Sequence, residues 1–323
     1  MDSAIRCEGL VKRYGTVVAL AGLDLDVPPG TIFGFLGPNG AGKTSTVRLL
    51  TGLARATAGR AFVLGMDATT GGIALRGRTS YLDQQPQFYG WMTGRELLGF
   101  CGELYGMRGA ALRARVDEVL RQTGLMDAAR RRVGGYSGGM RQRLGLAQAL
   151  INRPEVVFLD EPASALDPAG RRDVLELIGG LRGQATVFMS THILADVERV
   201  CNRVGIVKDG RLVAEAAVPE LQARYAQPIF LLEPEPGQAA EQAVLVSLLR
   251  RQRWVADVTE DHGELRVVVD DVGQAGRALP GLIAEAGMAL ARLERGRPSL
   301  EEIFLRLVGD ARLPDPARAE VAG

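Results

Sequence analysis

The sequence predicts an α/β fold with a parallel sheet at its centre, followed by a smaller α+β unit. Short apolar runs rich in β-branched and aromatic residues lie at 32–36, 156–159 and 185–191, and each ends in glycine or polar residues. The first run is followed by a glycine loop and a helix start at 46–50, which is typical of a parallel strand that returns through a helix. After about residue 226 the composition changes, and the periodicity predicts elements in the order β-α-β-β-α-β.

Composition and charge narrow the class of protein. The chain has 323 residues, of which 46% are hydrophobic and 24% charged, and a formal net charge of +1, so no nucleic-acid partner is expected. No apolar run approaches the roughly 18 residues that cross a bilayer, and the first ten residues lack the layout of a signal peptide. We therefore expect a cytoplasmic chain. Its three cysteines lack the spacing of metal ligands and are expected to be reduced structural residues.

One segment departs from this charge balance. Residues 108–143 contain nine arginines and three acidic residues, a local charge of about +6 in a mostly helical stretch. A solvated helical face, an acidic partner and anionic lipid headgroups are all compatible with this pattern.

The sequence GPNGAGKT at 37–44 fits the pattern G-x-x-x-x-G-K-[ST] and lies between a predicted strand and a predicted helix. Backbone N–H groups of such a loop cradle phosphate oxygens, and its lysine reaches the β- and γ-phosphates. The alternative is a glycine turn that binds no nucleotide. The predicted nucleotide-binding residues are Gly37, Pro38, Asn39, Gly40, Ala41, Gly42, Lys43, Thr44 (whose hydroxyl would bind Mg²⁺) and Ser45 (which would bond the α-phosphate).

Two carboxylates close the second apolar run, in EVVFLDEPASALD. A buried parallel strand delivers its last residues to the sheet edge where α/β proteins bind ligands. We expect Asp160 to hold Mg²⁺ and Glu161 to polarise the attacking water. The alternative is a purely structural role, in which Asp-Glu-Pro ends a strand and caps a helix.

Three further residues are candidates for the same chemistry. His192 follows the third apolar run and is positioned to hydrogen-bond a γ-phosphate and to hold Glu161 and the water, although a lone histidine there is often structural. Gln84 ends another predicted strand and is a candidate for reaching metal and water from a movable loop, although it could simply be a loop residue. Tyr14 offers a flat ring on which adenine could stack, or is an ordinary strand residue.

A helix with apolar residues at helical spacing begins within YSGGMRQRLGLAQAL. Ser137, Gly138 and Gly139 stand at its start, where unpaired N–H groups and small side chains let an anion come close.

The motifs GPNGAGKT, Gln84, YSGGM, VVFLDEP, SALD and the final TH follow one another in the order of an ATP-binding cassette (ABC) ATPase, and residues 4–225 resemble that family. They are most similar to cassette subunits of bacterial exporters of the daunorubicin-resistance type, whose permease is a separate chain. The resemblance implies a P-loop NTPase fold with a mixed sheet core, an antiparallel β-subdomain and a helical subdomain at about 86–153.

The resemblance also implies function. It implies ATP and Mg²⁺ as cofactors, Glu161 as catalytic base, His192 as switch residue, Gln84 as the coupling-loop glutamine and Tyr14 as the adenine platform. Ser137, Gly138 and Gly139 are implied to bind nucleotide across a homodimer interface, and Asp167, at the end of SALD, is implied to be a further nucleotide-binding residue. The chain is then a motor subunit of an exporter, peripheral on the inner face of the cell membrane and bound to an integral membrane permease.

The sequence departs from the family pattern at Tyr136, Met140 and Asp83, where leucine, glutamine and proline are usual. None of these changes removes a phosphate ligand. The rival interpretation is a soluble, non-transport cassette ATPase of DNA repair or translation, but the chain has neither their coiled coils nor a tandem cassette. A regulator without turnover conflicts with the presence of Glu161 and His192.

The last hundred residues carry no catalytic constellation. The patterns predict strands at 228–232, 254–260, 264–270 and 289–295, and helices at 239–251, 274–286 and 300–308, the last opened by a capping box of Ser299 and Glu302. This order predicts a ferredoxin-like α+β domain at 226–309, with a dimer-stabilising or regulatory role or a role in ligand sensing. Residues 310–323 are expected to be disordered.

An aromatic cluster follows Gln84. Phe88, Tyr89, Trp91 and Met92 begin the helical insert and are either ordinary core residues or a groove that receives a short helix of the permease.

Overall fold

The computed structural model describes residues 3–224, 229–261, 263–296 and 300–308. The chain divides into two compact units, the first ending at Val218 and the second beginning at Pro219. The boundary predicted from the sequence lies slightly later, at 225/226. No described helix combines the length and apolarity of a membrane span.

The first unit contains ten strands among its described residues: β1 (Ile5–Tyr14), β2 (Val17–Val27), β3 (Ile32–Leu36), β4 (Ala58–Val63), β5 (Met66–Asp67), β6 (Thr79–Leu82), β7 (Val156–Asp160), β8 (Thr186–Thr191), β9 (Arg203–Lys208) and β10 (Arg211–Ala217). Its helices are α1 (Lys43–Leu50), α2 (Gly72–Arg78), α3 (Gly94–Leu104), α4 (Gly109–Gln122), α5 (Gly138–Leu150), α6 (Pro168–Gly179) and α7 (Leu194–Val200), with a 3-10 turn at Val133–Gly135.

The central sheet is mixed and has the strand order β10-β9-β3-β8-β7-β6. All its pairings are parallel except that of β10 with β9. Every residue of β3, β7 and β8 is buried, as the continuous apolar runs predict. Phe188 of β8 lies at the centre of this core, with ring centroids 5.2–6.0 Å from Phe33, Phe35 and Phe158. Because β3, β6, β7 and β8 are parallel, their carboxyl ends reach the same edge.

A second, antiparallel sheet has the order β2-β1-β4-β5 and shares a hydrophobic core with the central sheet. The helical subdomain is formed by α3, α4 and α5, which pack around buried residues such as Leu98, Val119 and Leu144. Helix α3 begins at a capping box in which Thr93 and Glu96 exchange side-chain and backbone hydrogen bonds. The mixed sheet, antiparallel sheet and helical subdomain are those that the sequence predicts.

The second unit contains the predicted β-α-β-β-α-β order. Its described elements are α8 (Val218–Arg224), which begins at the boundary, β11 (Ile229–Pro234), α9 (Ala239–Arg250), β12 (Val255–Asp261), β13 (Glu264–Val269), α10 (Val272–Glu285), β14 (Leu290–Gly296) and α11 (Leu300–Val308). Its antiparallel sheet has the order β12-β13-β11-β14, the arrangement of a ferredoxin-like unit. The predicted Ser299/Glu302 capping box and the tail 310–323 lie outside what the structure describes.

The three cysteines are buried in the fold. Burial raises the pKa of the Cys7 thiol to about 12, of Cys101 to about 11 and of Cys201 to about 12, with smaller contributions from nearby Asp24 at Cys7 and Asp196 at Cys201. Because the thiolate is the reactive form, we expect all three to resist a thiol reagent such as dithionitrobenzoate at pH 8, by on the order of a hundredfold relative to the unfolded chain.

The control is Ser247→Cys, which places one thiol at an exposed position of α9. The native variant should react at once with one equivalent of reagent, and denaturant should release three more. Rapid labelling of the unsubstituted native protein would contradict the buried placement.

Candidate functional site

The loop from Gly37 to Gly42 joins β3 to α1 and has glycines where no side chain fits. A Cβ on Gly37 would lie 2.4 Å from the carbonyl oxygen of Val207. Gly42 has φ +101°, and a Cβ there would lie 2.5 Å from the carbonyl oxygen of Ala19. Helix α1 has no side-chain cap and no acidic residue in its first turn. Its first N–H groups are therefore available to an anion.

Lys43 is the first residue of α1 and is only 6% exposed. Its Nζ donates to the carbonyl oxygens of Gly37 (2.9 Å) and Pro38 (3.2 Å), and lies 3.4 Å from Glu161 Oε1. The ammonium is thus held beneath the loop and faces the acidic pair at the end of β7.

Asp160 and Glu161 occupy different environments although they are neighbours. Asp160 is the last residue of β7 and is buried. The backbone of Glu161 has φ +46°, in the left-handed region that residues other than glycine rarely adopt. This turn directs the Glu161 carboxylate away from the sheet and toward Lys43.

Three predicted residues converge on the Glu161 carboxylate. His192 Nδ1 lies 3.0 Å from Oε2, Gln84 Nε2 lies 3.4 Å from the same oxygen, and Lys43 lies beside Oε1. Because each follows a parallel strand of the same sheet, residues far apart in sequence meet at one point.

These residues line a cleft of about 480 Å³. Its lining consists of Asn39, Gly40, Lys43, Thr44, Gln84, Glu161, Ser164, Ala165 and His192. The structure therefore brings together the phosphate-loop residues, the acidic residue, the glutamine and the histidine that the sequence predicts for one site.

The structure does not bring Tyr14, Ser137, Gly138, Gly139 or Asp167 to the lining of this cleft. The ring of Tyr14 is partly exposed, with Lys12 Nζ 4.7 Å from its centroid. In a single chain, these five residues lie outside the cleft.

The starts of α5 and α6 lie side by side. Ser137 Oγ accepts from the Met140 N–H (3.2 Å), and Asp167 Oδ1 accepts from the Gly170 N–H (3.2 Å), so each residue caps its helix. A Cβ on Gly139 would lie 4.0 Å from the Gly170 Cα. A Cβ on Gly138 would meet no atom within 4 Å.

The departures from the family pattern have structural reasons. Tyr136 is buried among the helices, where its hydroxyl donates to the carbonyl oxygen of Ala128 (2.8 Å). Met140 packs against the same cluster. Asp83 accepts hydrogen bonds from the Tyr81 hydroxyl (2.8 Å) and the Gln85 N–H (3.2 Å), so side-chain bonds fix the turn that carries Gln84. Burial, reinforced by Asp83, raises the pKa of the Tyr81 hydroxyl.

An ion pair joins the helices that follow the candidate residues. Arg171 Nε of α6 lies 2.7 Å from Asp196 Oδ1 of α7. Burial raises the pKa of the Asp196 carboxyl, and Arg171 opposes that effect.

Two serines at the site were not predicted from the sequence. Ser164 lines the cleft and its Oγ lies 3.4 Å from Gln84 Nε2. Ser190 is fully buried in β8, bonded to Asp160 and Glu161. A serine that interrupts the apolar run of β8 is the signal that could have identified Ser190.

The donors that could hold Mg²⁺ are all oxygens: the Asp160 carboxylate, the Thr44 hydroxyl and the Gln84 amide. Within the described ranges, no group of three or more His, Cys, Asp or Glu side chains could hold a metal ion. One carboxylate and neutral oxygens fit Mg²⁺, which keeps water and phosphate oxygens in its coordination shell. The residues present therefore fit a magnesium ion that arrives with a polyphosphate.

A strand, a glycine loop and a helix that begins at a buried lysine, beside a strand ending in two carboxylates, define a P-loop nucleotide-binding site. The family model described as "ABC transporter" matches residues 20–164. A second family model, described as "ATP-binding protein DrrA1-3-like, C-terminal domain", matches residues 217–308.

Known proteins resemble the chain along almost all of its length. It is 40% identical over 313 residues to daunorubicin resistance ATP-binding protein DrrA3 of Streptomyces coeruleorubidus, covering 96% of this chain and 98% of that protein. It is 33% identical over 311 residues to bacitracin transport ATP-binding protein BcrA of Bacillus licheniformis, again covering 96% of this chain and 98% of that protein.

Solved structures show the same fold. One, described as the ATP binding subunit of an ABC transporter, has a TM-score of 0.63 and 26% identity, covering 69% of this chain and 93% of that chain. A dimeric bacterial ABC transporter cassette has a TM-score of 0.61 and 24% identity, covering 66% of this chain and 98% of that chain.

The chain therefore belongs to the ATP-binding proteins of the ABC transporter family, whose ATP-binding domains hydrolyse ATP. The family and the fold class predicted from the sequence are confirmed.

Proposed function

We propose that this chain is the ATP-hydrolysing motor subunit of an ABC exporter, and that it drives a separate membrane permease through ATP-dependent dimerisation. The observation that carries the proposal is the convergence of Lys43, His192 and Gln84 on the Glu161 carboxylate. The relatives named for daunorubicin resistance and bacitracin transport support a role in moving compounds across a membrane. We assign residues 4–225 to the cassette and 226–309 to an accessory domain.

The first part of the mechanism is phosphate binding. The free N–H groups at the start of α1 and the Lys43 ammonium bind the β- and γ-phosphates, and Ser45 bonds the α-phosphate. Thr44, Gln84 and Asp160 would hold Mg²⁺, which neutralises charge on the phosphate oxygens when bound. Adenine stacks on the exposed part of the Tyr14 ring, whose other interactions include the Lys12 ammonium.

The second part is the orientation of water. Glu161 accepts a proton from the attacking water, and His192 and Gln84 hold the Glu161 carboxylate in position. Phosphoryl transfer needs little covalent assistance, so a fixed carboxylate and a bound polyphosphate are sufficient.

The third part is assembly. Ser137, Gly138, Gly139 and Asp167 do not line the cleft of their own chain, and they bind the nucleotide held by a second copy in two-fold symmetry. The Ser137 oxygen accepts from Met140 N–H, so its hydroxyl hydrogen is free to donate to a phosphate. The solved cassette described as dimeric supports this assembly for the fold.

The permease binds at a docking surface, which we define as Tyr89, Trp91, Arg130, Arg131 and Arg132. Of the aromatic cluster, Phe88 and Met92 pack against the helical core, whereas Tyr89 is 59% and Trp91 70% exposed. Their rings are 6.0 Å apart. All three arginines are exposed. Arginine and exposed aromatic residues are favoured at protein interfaces.

The docking surface is connected to the nucleotide motifs by backbone bonds. The Gly134 N–H donates to the Gly90 carbonyl (3.0 Å), and the Val133 N–H donates to the Met92 carbonyl (2.8 Å). The segment that bears Tyr89 and Trp91 is thus tied to the segment that leads into Ser137, and it follows Gln84 along the chain. Binding of the permease can bias both motifs.

Glu161→Gln tests the catalytic base. The amide keeps the shape of the side chain but cannot accept the proton, so kcat should fall by on the order of a hundredfold or more while ATP still binds. ATP should then trap a dimer in sedimentation. Glu155→Gln is the matched control, because Glu155 is an exposed residue immediately before the same strand, paired with Arg78. Retention of the full rate by Glu161→Gln would assign the base to another residue.

Gly138→Asp tests the composite site. Position 138 has open space around it, and an acidic residue is favourable in the first turn of a helix, so the monomer should fold and bind ATP as before. In the Glu161→Gln background, ATP-dependent dimerisation should be lost because the carboxylate repels phosphate. Gly99→Asp, at an open glycine of α3, is the control that should still dimerise. Dimers of normal stability in Gly138→Asp would refute the trans arrangement.

Trp91→Ala and Tyr89→Ala test the docking surface. Neither ring fills the core, so the ATPase rate and melting temperature of the free subunit should change little. Co-purification of a polytopic membrane chain with the tagged subunit from detergent-solubilised membranes should fall at least about tenfold. Ile73→Ala, which removes a side chain that is also exposed, should co-purify that chain normally. If no membrane chain co-purifies with the unsubstituted subunit, the soluble non-transport ATPase becomes the better interpretation.

A further inference from the structure

A buried serine contacts both acidic residues of the site. Ser190 is the fifth residue of β8, in the sequence TVFMST, and its side chain is completely inaccessible to solvent. A hydroxyl buried in an apolar sheet is costly unless it is hydrogen-bonded. Its partners therefore indicate why a polar side chain stands at this position.

Ser190 bonds both acidic residues at once. Its Oγ donates to Asp160 Oδ1 and accepts from the Glu161 N–H (3.1 Å). The Ser190 carbonyl oxygen also accepts from the Glu161 N–H (3.1 Å). These bonds are possible because β7 and β8 pair in parallel with Asp160 directly opposite Ser190.

The same contacts stabilise an unusual backbone. A left-handed conformation such as that of Glu161, φ +46°, costs a non-glycine residue on the order of 1 kcal/mol. This turn gives the two acidic side chains different partners: Asp160 accepts from Ser190, and Glu161 meets Lys43 and His192. Ser190 bonds both residues of the turn, through the Asp160 carboxylate and the Glu161 N–H.

We propose that Ser190 is a positioning residue of the ATPase site. Its hydroxyl engages Oδ1 of Asp160, which leaves Oδ2 as the oxygen for Mg²⁺, and it fixes the turn that aims Glu161 at the water. The inference rests on the proposed function, and it concerns a fully buried residue that does not line the cleft.

A neighbouring serine provides a matched control. Ser80 lies on β6 of the same sheet, and its buried hydroxyl has no hydrogen-bond partner within the described structure. Removal of that hydroxyl changes no bond at the site. Ser190→Ala and Ser80→Ala thus delete the same atom from the same sheet, in one case with partners and in the other without.

The first measurement is equilibrium binding of ATP in the Glu161→Gln background, with Mg²⁺ and with EDTA. The quantity compared is the increase in ATP affinity that Mg²⁺ causes. In Ser190→Ala this increase should be at least about tenfold smaller than in the parent, because a hydrogen bond to a charged carboxylate is removed. The affinity measured in EDTA should stay unchanged. Ser190→Thr keeps the hydroxyl and should restore the gain. Ser80→Ala should match the parent.

The second measurement is turnover with Glu161 present. Ser190→Ala should lower kcat by about tenfold or more with a smaller change in KM, and Ser190→Thr should recover kcat. Should Ser190→Ala fail to fold, Ser190→Cys keeps the volume but offers only a weak donor, and it should show the same loss of Mg²⁺-dependent affinity.

Wild-type dependence on Mg²⁺ and wild-type kcat in Ser190→Ala or Ser190→Cys would overturn the proposal. So would an equal loss of affinity with and without Mg²⁺, which would indicate a structural role only. These outcomes differ from a failure of the proposed function, in which the unsubstituted chain itself would show no Mg²⁺-dependent ATP binding.

Discussion

The site depends on the parallel pairing of β3, β6, β7 and β8. Parallel strands deliver the residues after them to one edge of the sheet, and the right-handed connections between them supply the loops and helices that follow. In this chain that edge receives the phosphate loop, Gln84, the acidic pair and His192. A cluster of phenylalanine rings around Phe188 packs three of these strands together, so the hydrophobic core supports the same strands that carry the residues of the cleft.

Much of this arrangement could be predicted from the sequence. Continuous apolar runs identify buried strands, and a lysine after a glycine loop identifies the phosphate site, because few other functions require that spacing. The strand and helix order of the second unit also follows from periodicity. The exact limits of elements do not, since the end of a helix depends on its caps and packing more than on its period.

What the sequence did not predict depends on tertiary contacts. Periodicity places Ser190 inside a buried strand, but only the register of β7 with β8 shows that it faces Asp160. The aromatic cluster is a second example, because four neighbouring apolar residues do not indicate which of them face the core. The structure divides them, with Phe88 and Met92 packed inward and Trp91 and Tyr89 exposed. Tyr136 is a third, since its hydroxyl finds the Ala128 carbonyl only in the folded helical subdomain.

The buried charges near the start of α1 affect the form in which a nucleotide binds. One ammonium, that of Lys43, stands against two carboxylates, those of Asp160 and Glu161, so the fixed side-chain charge is negative before any phosphate arrives. A bare triphosphate would add several negative charges to a poorly hydrated region, where like charges repel far more strongly than in water. A divalent cation carried with the triphosphate offsets part of this negative charge. If the cleft binds ATP as proposed, it therefore favours the metal complex of the nucleotide over the free anion, and the concentration of magnesium as well as that of ATP governs how fully the site is occupied.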